Sequence, residues 1–250
     1  MKFLAADSKT KEIAKTALMA RNLAISVLIG GERGAGKTTL AKYIAPDAAV
    51  INADRDSGNP ESEINEILLR TDAIIIENFD KINNLDRIDL GEKKVIATTT
   101  KNLNSEIIDH YFGLTLFLQP LSDRPNDTLL LAEMFLNEAK NLLGIDEKFN
   151  LKNAEFDLSL NAISLRKSVL KFAIINSLDE QDLLSLMQKF LREKLRSGTS
   201  ENIYRDFLYL YEKPLIAAGL AQYGSQLRLS AALGINRNTL RKKVYELDVK

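Results

Sequence analysis

The chain has 250 residues, 45% of them apolar and 27% charged, which suits packed globular domains and excludes a disordered, fibrous or mini-protein class. Its 34 basic and 34 acidic side chains cancel, so no whole-molecule field draws it to nucleic acid or to an anionic surface. Without cysteine it holds no disulfide, thiolate zinc site or iron–sulfur cluster. The start MKFLAADSKTKE meets Asp7 too soon for a leader peptide, and no segment reaches the ~18 apolar residues of a membrane span; the expectation is a cytoplasmic protein with no membrane partner.

In chain order, AISVLIG (24–30), AAVINA (48–53), AIIIENF (73–79), KVIATTT (94–100) and LTLFLQP (114–120) are short apolar runs bounded by turn or helix signals. They read as buried strands. GKTTLAKYIA (36–45) and PESEINEILLRT (60–71) between them read as helices, and the alternation predicts a parallel sheet with helices on its faces. Beyond Pro120 the strand signal ends. Leu129, Leu130, Ala132, Met134 and Leu136 recur at helical spacing across 126–143, a second such segment covers 158–178, and the two predict a small helical subdomain. Residues 177–202 read as a helix and then a polar linker at Ser197-Gly198-Thr199-Ser200, and all that follows reads as helix.

The pattern G-x-x-x-x-G-K-[ST] is met by Gly31, Gly36, Lys37 and Thr38, directly after a strand and before a helix, which is the context a phosphate-binding loop requires. Its glycines let the backbone curl so that N–H groups point inward, the helix N-terminus adds its positive end, Lys37 supplies a point charge and Thr38 offers a hydroxyl to magnesium. The predicted nucleotide-binding residues are Gly31, Glu32, Arg33, Gly34, Ala35, Gly36, Lys37, Thr38 and Thr39. The predicted ligand is ATP or ADP with magnesium, the metal reached by Thr38 and Glu77.

Phosphate-loop hydrolases follow a later strand with an acid that holds the magnesium shell and a second that orients the attacking water. Here the pair is Glu77-Asn78. Glu77 has the reach for the first role; Asn78 accepts no proton, and losing a general base costs roughly 10²–10⁴ in rate. On a strand that continues through Phe79, Asp80 lies on the opposite pleat about 10 Å beyond Glu77 and out of play. In the other reading, Glu77, Asn78 and Asp80 form only a polar strand end and turn. No catalytic residue is therefore assigned. His110 is the only histidine, and with no partner at metal spacing it reads as a surface or capping residue.

Positive charge is concentrated at the end of the chain, where residues 224–250 hold six Lys/Arg against two Asp/Glu. In GSQLRLSAALGINRNTLRKKVYEL (224–247) a first helix is predicted from about Ser225 to Leu233, Gly234 makes the turn, and Asn236 caps the next helix. Leu229, Leu233, Ile235, Leu240 and Val244 have the spacing of a shared apolar seam. Arg237, Asn238, Thr239, Arg241, Lys242 and Lys243 are left to face outward, where arginine and asparagine fork onto base edges and lysine and threonine onto phosphates. The segment YRDFLYLYEKPLIAAGLAQY (204–223) carries more apolar surface than a lone small domain needs, which predicts a homodimer reading two half-sites.

GERGAGKTTLAKYI after SVLIG, then VIATTTKNLN (95–104) and DHYFGLTLFLQPLSDRPNDTLLLAEMFL (109–136), resemble the AAA+ ATPase domain of NtrC-like enhancer-binding proteins, the activators of sigma-54 RNA polymerase. Residues 224–247 resemble the Fis-type helix-turn-helix that ends those activators, and EKPLIAAGLAQY (212–223) the Fis helix before it. The resemblance implies an α/β AAA+ P-loop parallel sheet over 1–122, a helical lid over 123–178, a helical linker over 179–202 and an all-α, dimerising Fis-type DNA-binding domain over 203–250. Matched to the Fis pattern, Asn236, Arg237, Thr239, Arg241 and Lys242 are the candidate contacts to double-stranded DNA.

The departures from that family are specific. Between the second and third strands there is no GAFTGA loop to touch the sigma factor. Ile107 and Gly113 stand where the family carries interface arginines, Ile163 stands at the lid arginine, and Thr99 and Thr100 fall near the polar sensor. The resemblance implies a transcription regulator that binds nucleotide, hydrolyses it poorly and does not activate sigma-54 polymerase directly, with RNA polymerase or a regulatory protein as a further partner. Two alternatives stay open: a slow AAA+ ATPase that uses Glu77 or Asp80 to remodel a partner, and a Fis-like nucleoid-organising protein.

Overall fold

The computed structural model describes residues 3–54, 60–88, 90, 93–146, 148–151, 154–197 and 202–249. The chain divides into two compact units, Met1–Leu178 and Asp179–Lys250. The first alternates α1 (Ser8–Arg21), β1 (Val27–Gly31), α2 (Lys37–Ile44), β2 (Ala49–Asn52), α3 (Pro60–Leu68), β3 (Ala73–Glu77), β4 (Lys94–Thr99), α4 (Ser105–Tyr111) and β5 (Leu114–Leu118). Its five strands are parallel in the order β2-β3-β4-β1-β5.

Side chains on a strand alternate between faces, and a sheet covered on both sides buries both sets. Val27, Ile29, Ile75 and Ile96 accordingly pack into one core with Leu40, Ala41 and Ile44 of α2 and Ala17 and Ala20 of α1. Leu28, Ile74, Ile76, Val95 and Ala97 enter the other, with Ile64 and Leu68 of α3 and Phe112. The three isoleucines of AIIIE are thus all fully buried, on alternate faces.

Strand β3 ends before the apolar run that predicts it does. The run AIIIENF leaves the sheet after Glu77, where Asn78 takes the left-handed conformation (φ 56°, ψ 47°) and Phe79–Lys81 close a single 3-10 turn. Asparagine is among the few residues that tolerate that conformation. The turn drives Phe79 into the core at 1% exposure, edge-on to Phe112 at 5.2 Å.

The helical subdomain is built from α5 (Pro125–Leu143) and α6 (Ala162–Ser177), which share a core of Leu121, Ala132, Leu136, Ala139, Leu165, Val169 and Ala173. Proline opens α5 where a missing N–H is harmless, and Gly144 closes it. The second unit comprises α7 (Glu180–Ser197), α8 (Ile203–Tyr223), α9 (Gln226–Leu233) and α10 (Arg237–Glu246). The polar linker predicted at 197–200 falls, beyond Ser197, outside the described residues. Ile216, Leu229 and Leu240 form the small core of this unit, with Leu233, Ile235 and Val244 packed against it, so the apolar seam expected from the spacing is present. No helix among the described residues is long and apolar enough to cross a membrane.

Candidate nucleotide site and basic helix

The carboxyl ends of β1, β3 and β4 meet at one edge of the sheet, the place where open parallel sheets hold ligands. The loop from Gly31 to Gly36 joins β1 to α2 there, and Lys37 is the first residue of that helix. Lys37 is only 8% exposed, and its ammonium donates to the carbonyls of Gly31 at 2.8 Å and Glu32 at 2.7 Å. The loop is curled around its own lysine. Burial pulls the Lys37 pKa below the ordinary lysine value, opposed by the carboxylates of Asp80, Glu77 and Glu32.

Thr38 and Glu77, 39 residues apart in sequence, come together: the Thr38 hydroxyl donates to Glu77 Oε1 at 2.5 Å. Asn78 uses its backbone N–H on Thr98 Oγ1 at 3.2 Å and its side-chain Nδ2 on Asn52 Oδ1 at 2.8 Å. Its amide therefore ties the ends of β2, β3 and β4 together and supplies no base.

Asp80 requires a correction. The left-handed turn at Asn78 ends the strand, so Asp80 is not carried along an opposite pleat but folds back toward β4. Its Oδ1 accepts from the Thr99 hydroxyl at 3.1 Å and from the Thr100 N–H at 3.3 Å, while Oδ2 is buried with no hydrogen-bond partner among the described residues. It is the foremost of the carboxylates that support the charge on Lys37.

Lys37, Thr38, Glu77 and Asn78 border a cavity of about 800 Å³ whose loop and helix side is completed by Glu32, Arg33, Gly34, Gly36 and Thr39. Of the other predicted loop residues, Gly31 contributes its carbonyl to Lys37, and Ala35 is buried with its carbonyl bonded to Arg124 Nη2 at 2.8 Å. Asn52, Asp54, Glu77, Asn78, Lys81, Thr98 and Thr100 line the far wall. Of the threonines at the end of β4, Thr98 and Thr100 line it, while Thr99 is buried and donates to Asp80.

The helical subdomain borders the loop side. Ala162 and Ile163 line the cavity, and the Ala162 N–H donates to Gly34 O at 3.2 Å. Gly34 has φ +79°, and a Cβ there would collide with the Leu160 carbonyl, so only glycine admits this approach. Asn161, 1% exposed with φ 53° and ψ −129°, donates from Nδ2 to Glu32 Oε2 and to Arg33 O, both at 3.0 Å, and accepts from the Leu121 N–H at 2.6 Å. Nothing in the sequence pattern singled it out, nor Asn52, Asp54, Lys81 and Thr98, which are distant in sequence and carry no motif of their own. Ile163 brings a half-exposed apolar group to the cavity, Ile107 packs against the second core of the sheet, and Gly113 lies against Ile25.

In the second unit, the Ser225 hydroxyl caps α9 by accepting from the Arg228 N–H at 3.3 Å, and Gly234 makes the turn at φ 65°. Asn236 caps α10, its Oδ1 accepting from the Asn238 N–H at 2.8 Å. Arg237, Asn238, Thr239, Arg241 and Lys242 are exposed along α10, with Lys242 3.6 Å from Glu246. Lys243 departs from the expected outward face. It turns back to α8 and pairs with Glu212 at 2.5 Å, half-buried, because its place on the helix lies beside the apolar seam of Leu240 and Val244.

No family model matches the chain. It is 25% identical over 199 residues to the DNA-binding transcriptional regulator NtrC of Azospirillum brasilense, a match covering 62% of this chain and 41% of that protein. It is 48% identical over 48 residues to NtrC of Bradyrhizobium sp. (strain RP501 Parasponia), covering 19% of this chain and 10% of that one. The chain thus spans well under half the length of these curated relatives. Among solved structures it is similar to NtrX from Brucella abortus in complex with ATP, with a TM-score of 0.59 at 16% identity over 99% of this chain and 69% of that chain. The same protein in complex with ADP gives 0.57 at 17% identity, over 99% and 70%.

Proposed function

We propose that this chain, an NtrC-like AAA+ protein, is a sequence-specific DNA-binding transcription regulator that holds ATP or ADP with magnesium, hydrolyses it poorly and does not itself activate sigma-54 polymerase. One observation carries the nucleotide half: the Lys37 ammonium, the Thr38 hydroxyl and the Glu77 carboxylate converge on one cavity at the carboxyl ends of the strands. Residues 31–39 would cradle the phosphates. Thr38 and Glu77 are the oxygen donors that magnesium takes; bound there, the ion would neutralise phosphate charge. The amide at Asn78 and the apolar groups at Ile107, Gly113 and Ile163 support poor turnover.

The DNA half rests on α10, whose exposed Arg237, Asn238, Thr239, Arg241 and Lys242 follow the cap at Asn236. A homodimer through the second unit would cover the exposed Tyr204, Tyr209, Tyr211 and Leu215 of α8 and present two such helices to two half-sites. RNA polymerase or a regulatory protein is the further partner of this reading. The test is selection of bound DNA from a random pool with and without ATP, alongside titration with labelled nucleotide. An enriched sequence and a saturable nucleotide signal are expected. No binding at millimolar nucleotide removes the first half, and a pool without enrichment removes the second.

The position of Asp80 favours a second reading, a slow ATPase in which this carboxylate replaces the missing base. Steady turnover abolished by both Lys37→Ala and Asp80→Asn would favour it; turnover that ignores Asp80→Asn would remove it.

A further inference from the structure

The charges that line the nucleotide cavity are Glu32, Arg33, Lys37, Asp54, Glu77 and Lys81. Five of them are engaged. Glu32 accepts from Asn161, Lys37 donates to two loop carbonyls, Glu77 accepts from Thr38, and Lys81 lies 3.7 Å from Asp54. The Arg33 guanidinium, exposed at the cavity wall, makes no hydrogen bond or ion pair among the described residues. Among the described residues it is the one cation lining the cavity whose side chain has no hydrogen-bond or ion-pair partner.

Its anchorage is fixed even though its end is free. The Arg33 carbonyl accepts from Asn161 Nδ2 at 3.0 Å, and the residue follows directly on Glu32, whose carbonyl touches Lys37 Nζ. A long side chain starting there shares the mouth of the cavity with the lysine that reaches the outer phosphates of a bound nucleotide. A planar guanidinium forks onto phosphate oxygens, and phosphoryl sites take such an arginine either from a neighbouring subunit or from their own chain. With Ile107 packed into the sheet's core and Gly113 against Ile25, those positions offer no cation to a neighbour.

We infer that Arg33 is an in-chain cation for the terminal phosphate of a nucleoside triphosphate, so that a single chain distinguishes the triphosphate from the diphosphate. This rests on the nucleotide-holding reading above. The test titrates the full chain and its Arg33→Gln and Arg33→Lys variants with magnesium and either ADP or an ATP analogue whose β–γ bridge resists hydrolysis. Arg33→Gln should weaken the triphosphate about tenfold, the worth of one charge-assisted hydrogen bond, and ADP less than about twofold. Arg33→Lys should restore part of the difference, and thermal unfolding without nucleotide should be unchanged because the side chain is exposed. Equal weakening of both nucleotides, or of neither, overturns the role of Arg33 while Lys37→Ala still reports on the site. A parent chain that binds neither nucleotide overturns both this inference and the nucleotide-holding reading.

Discussion

At Lys37 the proposed role and the burial pull apart: a phosphate cation would have to stay charged, yet the loop buries this ammonium and bonds it only to carbonyls. Burial lowers its pKa in the folded chain, so between that lowered value and the ordinary one the unfolded chain holds a proton that the folded chain has released. Folding stability from this group therefore rises with pH through that window, and the burden is fully present below it. A bound phosphate acts the other way by favouring the charged lysine. Nucleotide affinity should fall as pH rises through the same alkaline window, with proton uptake on binding seen as a buffer-dependent heat in titration calorimetry. An affinity that stays flat across that range would count against Lys37 as the phosphate cation.

At the scale of elements, helix α5 is fastened to the segment before α1 by two carboxylates, Asp127 and Asp7. Asp127 is 1% exposed; its Oδ1 accepts from the N–H groups of Ala6 at 2.5 Å and Asp7 at 2.9 Å, and its Oδ2 lies 3.5 Å from the buried Arg124 guanidinium. Asp7 answers by accepting from the Asp127 N–H at 2.8 Å. Removing one partner of a buried ion pair strands the other charge, so Asp127→Ala should destabilise the first unit by about 3–5 kcal/mol in denaturant unfolding. In the second unit, Asn236→Ala should cost about 1 kcal/mol by removing the cap of α10, and Asn236→Asp should restore it, since aspartate caps as well as asparagine. Equal stability of the alanine and aspartate variants would show that the cap contributes little.

For the whole molecule, the net charge is balanced, so any attraction to DNA has to come from a local surface. A dimer that neutralises about six phosphates would bind with a slope of log K on log salt near −5. Arg237→Ala with Arg241→Ala should lose most binding and flatten that slope, measured by mobility shift over a salt series. A double variant that shifts DNA as the parent does sinks the assignment of α10. Lys243→Ala should change the slope less than Lys242→Ala, because Lys243 is already paired with Glu212.

What the sequence determined by itself is local and periodic. The curled loop from Gly31 to Gly36 and the helix that Lys37 opens were legible because their glycines, lysine and threonine stand close together in sequence between a strand and a helix. The burial of Ile74, Ile75 and Ile76 was legible because a sheet covered on both faces turns an unbroken apolar run into a strand. The cap at Asn236 and the seam through Leu229 and Leu240 follow from helical spacing in the same way. Tertiary structure alone decided what depends on a change of chain direction or on a distant partner. The left-handed turn at Asn78 moved Asp80 from the end of a strand to Thr99 and Thr100 at the end of β4. Asn161 reaches the phosphate loop across 129 residues, and Lys243 reaches Glu212 across 31. Such contacts carry no period in the sequence, because their geometry is set by how the elements pack and by which polar groups that packing must satisfy.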